Sequence, residues 1–273
     1  MFNYVKDFLS NRTFQVKINN YLSRTETLEN GTPQGSVISP LLFNILVDGV
    51  NETLDDCNRV FNTNKANTEE FNIKMGQYAD DISLWRQSVH HNFNPGLVKT
   101  TERIILKLKD LGFKVNEKKT QLIKFFGRHQ DPEKEVKING KNVPLSNSIK
   151  YLGVTFDKEL TYTEHINNMI TKAKKALNIL RFLKGRKWGA STKTLKALYI
   201  ALVRSQLTYG QEIFDSARQS SLEKMDAIQG QGAKIIAGLT RNTAGIAAEV
   251  IARLPPLKVV RAAAILNFWK KIQ

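Results

Sequence analysis

Two adjacent carboxylates, Asp80 and Asp81, are the residues of this sequence best suited to chemistry. They lie in the segment 77–82, which reads Gln-Tyr-Ala-Asp-Asp-Ile, between short apolar runs at residues 73–78 and 82–85. Both runs have the length and apolar content of β-strands, which predicts that the pair lies on or beside a tight hairpin turn. Such a turn presents both carboxylates at one end of a sheet, where a hard cation such as Mg²⁺ can bind their oxygens. Two such ions can stabilise the attacking and leaving oxygens of a phosphoryl transfer, which is the first hypothesis.

The alternative interpretation is a solvent-exposed Asp-Asp turn without function. The same dipeptide occurs at Asp55 and Asp56 without strand-like flanks, and we expect that pair on the surface. The longer pattern Tyr-x-Asp-Asp is much rarer than the dipeptide. With 7 Tyr and 11 Asp in 273 residues, about 0.01 matches are expected under random order. Chance is therefore a weak explanation for it.

A glycine-rich segment upstream provides a second motif. Residues 31–40 read Gly-Thr-Pro-Gln-Gly-Ser-Val-Ile-Ser-Pro, and Gly31 and Gly35 allow the backbone to pass close to a ligand. Ser39 as N-cap and Pro40 at the first helical position predict a helix that continues to about residue 54. The residues predicted to face inward on it are Leu42, Ile45, Leu46, Gly49 and Val50. Taken alone, the segment is equally typical of an ordinary turn before a buried helix.

Together and in this order, the two segments resemble those of the reverse transcriptases of non-LTR (LINE-like) retrotransposons, over most of the chain. The resemblance implies an α+β fold. Residues 1–160 would form a partial polymerase palm, an antiparallel sheet with packed helices, and residues 161–273 an all-helical, basic thumb. It also implies RNA-directed DNA synthesis on an RNA template, in which a DNA primer 3′-hydroxyl attacks the α-phosphate of a dNTP. Asp80 and Asp81 would then be catalytic and would bind Mg²⁺ (or Mn²⁺).

The resemblance also assigns roles outside the carboxylate pair. The residues expected to approach the incoming nucleotide and the template are Pro33, Gln34, Gly35, Ser36 and Tyr78. In the segment 116–120, Lys118 or Lys119 would protonate the departing pyrophosphate, with Lys119 counted among the nucleotide-binding residues. A solvated turn lysine fits either position at least as well. Leu152, Gly153 and Val154 would form the primer grip, which holds the primer 3′ end against the catalytic carboxylates. Without the resemblance, Gly153 is a plain strand glycine.

The beginning of the chain departs from the resembling family. In that family a strand with another catalytic aspartate comes first, whereas Asp7 is the only aspartate before Asp48 and lies beside Lys6 on a predicted helix. We therefore expect a fragment that lacks this strand and has little activity of its own. The alternative is a polymerase-derived protein that binds nucleic acid without catalysis.

The charge of the chain predicts a polyanionic partner. The formal net charge is +16, and residues 158–204 contain 11 basic and 2 acidic residues, a local net charge of +9. Four basic residues on a predicted helix there are expected to contact the nucleic-acid backbone: Lys172, Lys174, Lys175 and Arg181. Each of them is equally compatible with a merely solvated helix face.

The single cysteine, Cys57, excludes a disulfide framework and a cysteine-based zinc site. It fits a reducing compartment, so we expect an intracellular location, the nucleus or the cytoplasm or both. No apolar run approaches the roughly 20 residues that span a bilayer, and no membrane partner is expected.

Local patterns predict the remaining elements. Apolar spacing favours a helix at residues 98–111 ended by Gly112, and Asn139-Gly140 predicts a tight hairpin. Residues 113–115 and 120–126 are predicted as a strand pair and residues 149–156 as one strand. Trp85 is predicted in the core. Four helices are expected after residue 160, around residues 166–183, 195–203, 222–239 and 260–269.

Overall fold

The computed structural model describes residues 2–63, 72–87, 95–125, 136–185 and 188–272. The sequence also predicts a polar loop at residues 62–70, a loop at His90-His91 and a polar linker at residues 128–135. Apart from residues 62 and 63, these segments lie outside the described residues. The chain divides into two compact units, each described separately below. The first comprises residues 1–120 and 136–143, and the second comprises residues 121–135 and 144–273.

The first unit combines helices with short antiparallel strands. Its elements are α1 (Phe2–Leu9), β1 (Thr13–Phe14), β2 (Lys17–Ile18), β3 (Tyr21–Leu22), β4 (Glu26–Thr27), α2 (Ser39–Val47), α3 (Gly49–Thr63), β5 (Lys74–Tyr78), β6 (Asp81–Trp85), α4 (Pro95–Asp110), β7 (Val136–Ile138) and β8 (Lys141–Val143). Strand β1 pairs with β4, β2 with β3, β5 with β6, and β7 with β8. The core lies between α3, α4 and the β5–β6 hairpin, and its buried residues are Val50, Leu54, Ile73, Ile104 and Leu108.

The helix predicted from residue 39 to about residue 54 is interrupted. Helix α2 ends at Val47 and α3 begins at Gly49, whose missing side chain leaves room for Lys107 of α4: a Cβ would lie 3.1 Å from Lys107 Cε. The predicted inward face is wrong for Ile45 and Leu46, which are exposed, whereas Val47 and Val50 are buried.

Ser39 does not have the predicted capping role. Ile38 occupies the N-cap position of α2 without a side-chain cap, and Ser39 Oγ donates a hydrogen bond of 2.8 Å to the carbonyl of Pro33. The hydroxyl therefore links the start of α2 to the preceding turn through this hydrogen bond and does not accept one from a free helical N–H group.

The end of α4 has the predicted geometry. Gly112 has φ +83°, the Phe113 N–H donates to the Leu108 carbonyl at 2.8 Å, and the Gly112 N–H donates to the Lys109 carbonyl at 2.9 Å. These two bonds form a Schellman motif, which satisfies carbonyls that a helix end otherwise leaves free.

The hairpin predicted at Asn139-Gly140 is also present. Both residues have positive φ, 51° and 75°, and Ile138 pairs directly with Lys141. The strand pair predicted at residues 113–115 and 120–126 is wrong: the described residues there form no strand, and Leu122 makes only an isolated bridge to Leu145.

The second unit packs one hairpin against helices. Its elements are β9 (Ser148–Tyr151), β10 (Val154–Asp157), α5 (Thr163–Leu183), α6 (Thr192–Tyr199), a π-helical turn (Ile200–Arg204), α7 (Ser205–Thr208), α8 (Gln219–Ala237), α9 (Gly245–Ile251) and α10 (Leu257–Ile272). The single strand predicted at residues 149–156 is thus two strands with a tight turn between them. Val154 of β10 belongs to the same buried cluster as Leu177 of α5 and Met225 of α8, so the hairpin packs with the helices.

A buried polar network joins side chains of α6, α8 and α9. Gln229 is fully buried; its amide donates to Glu249 Oε1 at 3.0 Å and to the Pro255 carbonyl at 3.1 Å. Its oxygen accepts from Arg204 at 3.0 Å and from the Tyr199 hydroxyl at 3.3 Å. Every polar atom of this amide therefore has a partner, as buried polar groups usually do.

The described architecture confirms the predicted α+β class, with small antiparallel strand pairs and a helical C-terminal region. Within the described residues, no helix combines the length and the apolar character that a membrane span requires.

Candidate active site and nucleic-acid interface

The β5–β6 hairpin presents Asp80 and Asp81 as predicted. Tyr78 pairs directly with Asp81, so the connection consists of only Ala79 and Asp80. Ala79 has φ +51°, a conformation that non-glycine residues adopt rarely and mainly in tight turns. Asp80 therefore lies in the turn itself and Asp81 is the first residue of β6.

The two faces of this hairpin differ in environment. Residues directly opposite each other in an antiparallel pair point to the same face. Met75, Ile82 and Leu84 pack against the core of the first unit, so their face is covered. The other face carries Asp81 and Tyr78, whose side chain is 66% exposed. Asp81 thus lies on the face that the core leaves open.

Trp85 lies on the open face and not in the core. It is 49% exposed, and a Cβ on Gly76 would lie 3.2 Å from its ring. Gly76 and Ser83 face each other in the register, and Lys74 faces Trp85. The prediction of a core tryptophan is wrong because strand alternation places it two residues beyond Ser83, on the side away from the core.

The carboxylates of Asp80 and Asp81 are chemically available. Both residues are exposed, and neither side chain has a hydrogen-bond or ion-pair partner within the described part of the chain. Asp56, in the second Asp-Asp dipeptide, instead pairs with Arg59 at 2.5 Å on the surface of α3. Two adjacent free carboxylates are a donor set that suits a hard divalent cation. No cluster of three or more potential metal-ligating side chains occurs among the described residues.

The segment 33–36 forms a tight turn. The Ser36 N–H donates to the Pro33 carbonyl at 3.4 Å, and Gly35 has φ +89° at the third position. This φ is what a type II turn requires of that position. Gln34 and Gly35 are exposed, and no atom of the described residues lies within 4 Å of the place where a Gly35 Cβ would be. No described contact joins this turn to Asp80 or Asp81.

Lys119 lies in a turn organised by Asn116. The Lys119 N–H donates to the Asn116 carbonyl at 3.1 Å and to its side-chain oxygen at 3.3 Å. The side chains of Lys118 and Lys119 are both exposed. Glu117 in the same turn forms an ion pair with Lys141 of β8. The geometry therefore does not distinguish Lys119 from Lys118.

The predicted primer grip is the turn between β9 and β10. Tyr151 pairs with Val154, so Leu152 and Gly153 form a two-residue turn, with φ of 46° and 86°. Both are exposed, whereas Val154 is buried. Of the three predicted grip residues, only Leu152 and Gly153 are therefore open to a ligand.

The predicted basic residues share the exposed side of α5. Lys172, Lys174, Lys175 and Arg181 are all exposed, and the opposite side of the helix buries residues such as Ala173 and Leu177. Arg181 donates to Asn178 Oδ1 at 2.5 Å and to Gln231 Oε1 at 3.3 Å. Both acceptors are neutral side-chain amides, so no acidic side chain pairs with Arg181 in these two bonds.

An aromatic pair that the sequence patterns did not single out lies at the end of this helix. Phe182 and Trp188 are 70% and 63% exposed, and their ring centroids lie 5.5 Å apart in an edge-to-face arrangement. Phe182 lies on the exposed side of α5, so apolar rings accompany the lysines. The signal available in the sequence was an aromatic residue off the apolar stripe of an amphipathic helix.

Residues 1–156 match the family described as reverse transcriptase (RNA-dependent DNA polymerase). The chain belongs to this family. The match includes the turn at 33–36, the Asp80-Asp81 hairpin and the turn at 152–153. It confirms the resemblance to reverse transcriptases that the segments 31–40 and 77–82 suggested, and this family is one of nucleotidyltransferases.

Similar curated proteins come from mobile elements of insects. The chain is 25% identical over 235 residues to the RNA-directed DNA polymerase from mobile element jockey of Drosophila melanogaster, a match that covers 86% of the chain and 25% of that protein. A probable RNA-directed DNA polymerase from transposon BS of the same species is 25% identical over 234 residues, with 85% and 25% covered.

A Pol polyprotein from the type-1 retrotransposable element R1 of Nasonia vitripennis is 23% identical over 207 residues, which covers 73% of the chain and 57% of that protein. The chain thus spans about a quarter of the length of the first relatives that it matches. No solved structure matches it significantly.

Proposed function

We propose that this chain takes part in RNA-directed DNA synthesis as the polymerase region of a non-LTR retrotransposon. Its substrates would be an RNA template, a DNA primer and a dNTP. The observation that supports this proposal most directly is the Asp80-Asp81 turn of a reverse transcriptase family member, exposed and free of protein partners in the described chain. The sequence similarity to jockey and transposon BS polymerases supports the same reaction.

Asp80 and Asp81 would hold the catalytic cation in this proposal. Their oxygens suit Mg²⁺ or Mn²⁺, since both are hard enough to prefer carboxylate ligands. A bound divalent cation would neutralise charge that develops on the phosphate during transfer. The free carboxylates require no broken ion pair before they bind it. We propose Mg²⁺ as the physiological ion, with Mn²⁺ as its substitute.

The other residues of the site would position the substrates. Tyr78 shares the open face with Asp81 and offers a flat surface there, and the backbone of the turn at 33–36 is open beside Gly35. We propose that these two features contact the nucleotide and the template. The turn at Leu152-Gly153 would contact the end of the primer, and Lys119 or Lys118 would supply the proton for pyrophosphate.

The exposed side of α5 would bind the nucleic-acid backbone. Lysine and arginine side chains that lie in water and keep their charge are suited to phosphate contacts, which give affinity without sequence preference. Phe182 and Trp188, at the C-terminal end of the same helix, would add stacking or apolar contacts to bases. We also propose an intracellular location, the nucleus or the cytoplasm or both, because the one cysteine is buried and unpaired.

Primer extension tests the proposed reaction. The 273-residue chain is incubated with an RNA template, a labelled DNA primer, dNTPs and Mg²⁺. The comparison is with the variant Asp80→Asn/Asp81→Asn, and the matched control is Asp55→Asn/Asp56→Asn, which changes the same dipeptide on α3. We expect any extension to disappear in the first variant and to persist in the second.

A direct binding measurement with the same primer-template accompanies this assay. Tight binding without extension by the wild-type chain would favour the alternative function, a nucleic-acid-binding protein without catalysis. Extension that survives in Asp80→Asn/Asp81→Asn would contradict the catalytic assignment of the pair.

A further inference from the structure

The turn between β9 and β10 has a backbone conformation that its own sequence does not favour. Leu152 has φ +46° and Gly153 has φ +86°. Glycine adopts such angles freely, but leucine rarely does. A residue in a sparsely populated conformation persists only when the surrounding structure holds it there. Some other part of the second unit must therefore support Leu152.

Tyr209 supplies that support from 57 residues further along the chain. Its hydroxyl donates a hydrogen bond of 2.7 Å to the carbonyl of Leu152. Its ring lies against the turn, since a Cβ built on Gly153 would lie 3.0 Å from ring atom Cε1 and 3.2 Å from Oη. The same side chain thus fixes the carbonyl of one turn residue and covers the α-carbon of the other.

Tyr209 is itself held by the helical core. It follows α7 directly, and its neighbours Leu207 and Gln211 are buried. Gly210, with φ +70°, packs close to β10: a Cβ there would lie 3.0 Å from Cγ2 of the buried Val154. The connection after α7 therefore contacts the hairpin at two successive residues, at the turn and at the strand that follows it.

We propose that Tyr209 is a positioning residue for the primer grip. It locks the Leu152-Gly153 turn in one conformation and thereby fixes where the primer 3′ terminus lies. This inference rests on the proposed function, in which that turn contacts the primer. Tyr209 is 55% exposed, so removal of its hydroxyl opens no cavity, and the absence of this hydrogen bond acts on the turn more than on the core.

The variant Tyr209→Phe tests this role, with Tyr21→Phe as the matched control. Tyr21 also follows a tight turn, at Asn19-Asn20, but it lies in β3 of the first unit and is exposed. The probe is an RNA template with a DNA primer that carries 2-aminopurine at its 3′ terminus. Fluorescence of this base reports the position of the primer end, anisotropy of a labelled primer reports affinity, and thermal unfolding reports stability.

We expect the wild-type chain and Tyr21→Phe to bind the primer-template and to change the 2-aminopurine signal equally. Tyr209→Phe should bind within about twofold of the same affinity and unfold at nearly the same temperature, yet lose most of the signal change. A full signal in Tyr209→Phe would overturn the inference and leave the proposed function intact. Parallel losses of stability, affinity and signal would also overturn it, because they indicate a merely structural tyrosine.

The proposed function fails separately if the wild-type chain does not bind the primer-template or leaves the terminal 2-aminopurine unchanged. A second test needs no nucleic acid. Gly153→Ala should lower the unfolding temperature less in a Tyr209→Ala background than in the wild-type background, because the ring that the new methyl group meets is gone. Equal effects in both backgrounds would show that the ring does not pack against the turn. That result would contradict the proposed role of Tyr209.

Discussion

The two Asp-Asp dipeptides of this chain, Asp55-Asp56 and Asp80-Asp81, lie in different environments. Asp56 is paired with Arg59 on α3, whereas Asp80 and Asp81 have no protein partner in the described chain. Free like charges at one turn repel each other, and a divalent cation relieves that repulsion. What distinguishes the two dipeptides is their position: one lies along a solvated helix and the other at the end of a hairpin with one open face.

Asp80→Asn should therefore weaken binding of Mg²⁺ or Mn²⁺ and leave the fold intact. The exposed turn carboxylate supports no core contact, so we expect the free energy of unfolding to change by no more than about 0.5 kcal/mol. Titration of Mn²⁺ and urea unfolding measure the two effects, with Asp55→Asn as the control that changes neither. Loss of folding in Asp80→Asn would show that the carboxylate is structural and would refute the metal assignment.

His165 gives the second unit a pH dependence. The residue is buried, the Thr155 N–H donates to its Nδ1 at 3.3 Å, and its ring lies 5.5 Å from that of Phe214. Burial lowers the pKa of this imidazole below its usual 6.5, and the charges of Lys172 and Lys150 add to the effect. The folded state therefore binds a proton less readily than the unfolded state.

The contribution of His165 to stability is complete above about pH 6.5 and declines as the pH falls below that value toward the lowered pKa. We expect the free energy of unfolding of the wild-type chain to fall with pH in this window. The slope should be smaller in His165→Gln, which does not titrate. Urea unfolding between pH 5 and pH 8 measures both, and equal slopes would assign the effect to other groups.

Among the secondary-structure elements, those with strong local signals were predictable from sequence. Asn139-Gly140 and Gly112 have positive φ where predicted, because glycine and asparagine tolerate such angles at little cost. The Asp80-Asp81 hairpin was predictable from its two apolar runs. In each case the residues that fix the conformation are neighbours in the chain.

The elements that sequence reasoning missed depend on residues distant in the chain. At the helix break, Gly49 packs closely against Lys107, and the turn at Leu152 depends on Tyr209. Leucine carries no turn signal, so a continuous strand was the natural prediction from residues 149–156. The outward position of Trp85 likewise depends on which face of the hairpin packs against α3 and α4. The apolar character of a single residue does not specify that face.

The Schellman motif at the end of α4 can be tested by substitution of its glycine. Gly112→Ala places a side chain at φ +83°, where no atom of the described residues lies within 4 Å of the new Cβ, so the variant measures the backbone strain. We expect a loss of about 1 kcal/mol in the free energy of unfolding. Gly112→Asn should cost less, since asparagine tolerates this conformation better. Equal losses in both variants would point to a cause other than left-handed strain.

Across the whole molecule, the formal net charge is +16, but its basic residues are not equivalent. Helix α5 carries four exposed basic residues, and the exposed ring of Phe182 lies at its C-terminal end in contact with Trp188. A diffuse positive charge attracts any polyanion, whereas phosphates in a bound duplex release counterions only where basic side chains contact them. The salt dependence of binding therefore separates a local interface from a general charge.

Neutralisation of the α5 basic residues should flatten the salt dependence of primer-template binding. We expect the combined substitution of Lys172, Lys174, Lys175 and Arg181 by glutamine to reduce the slope of log Kd against log salt by up to about 3–4, close to 0.9 for each phosphate that is no longer neutralised. The matched control replaces four other exposed lysines, Lys6, Lys17, Lys258 and Lys270, and lowers the net charge equally. Binding of the same primer-template is measured from low to moderate salt. If both variants flatten the slope equally, the affinity follows from net charge alone. If only the α5 variant does, the duplex lies along this helix, because counterions are released only at the side chains that replace them.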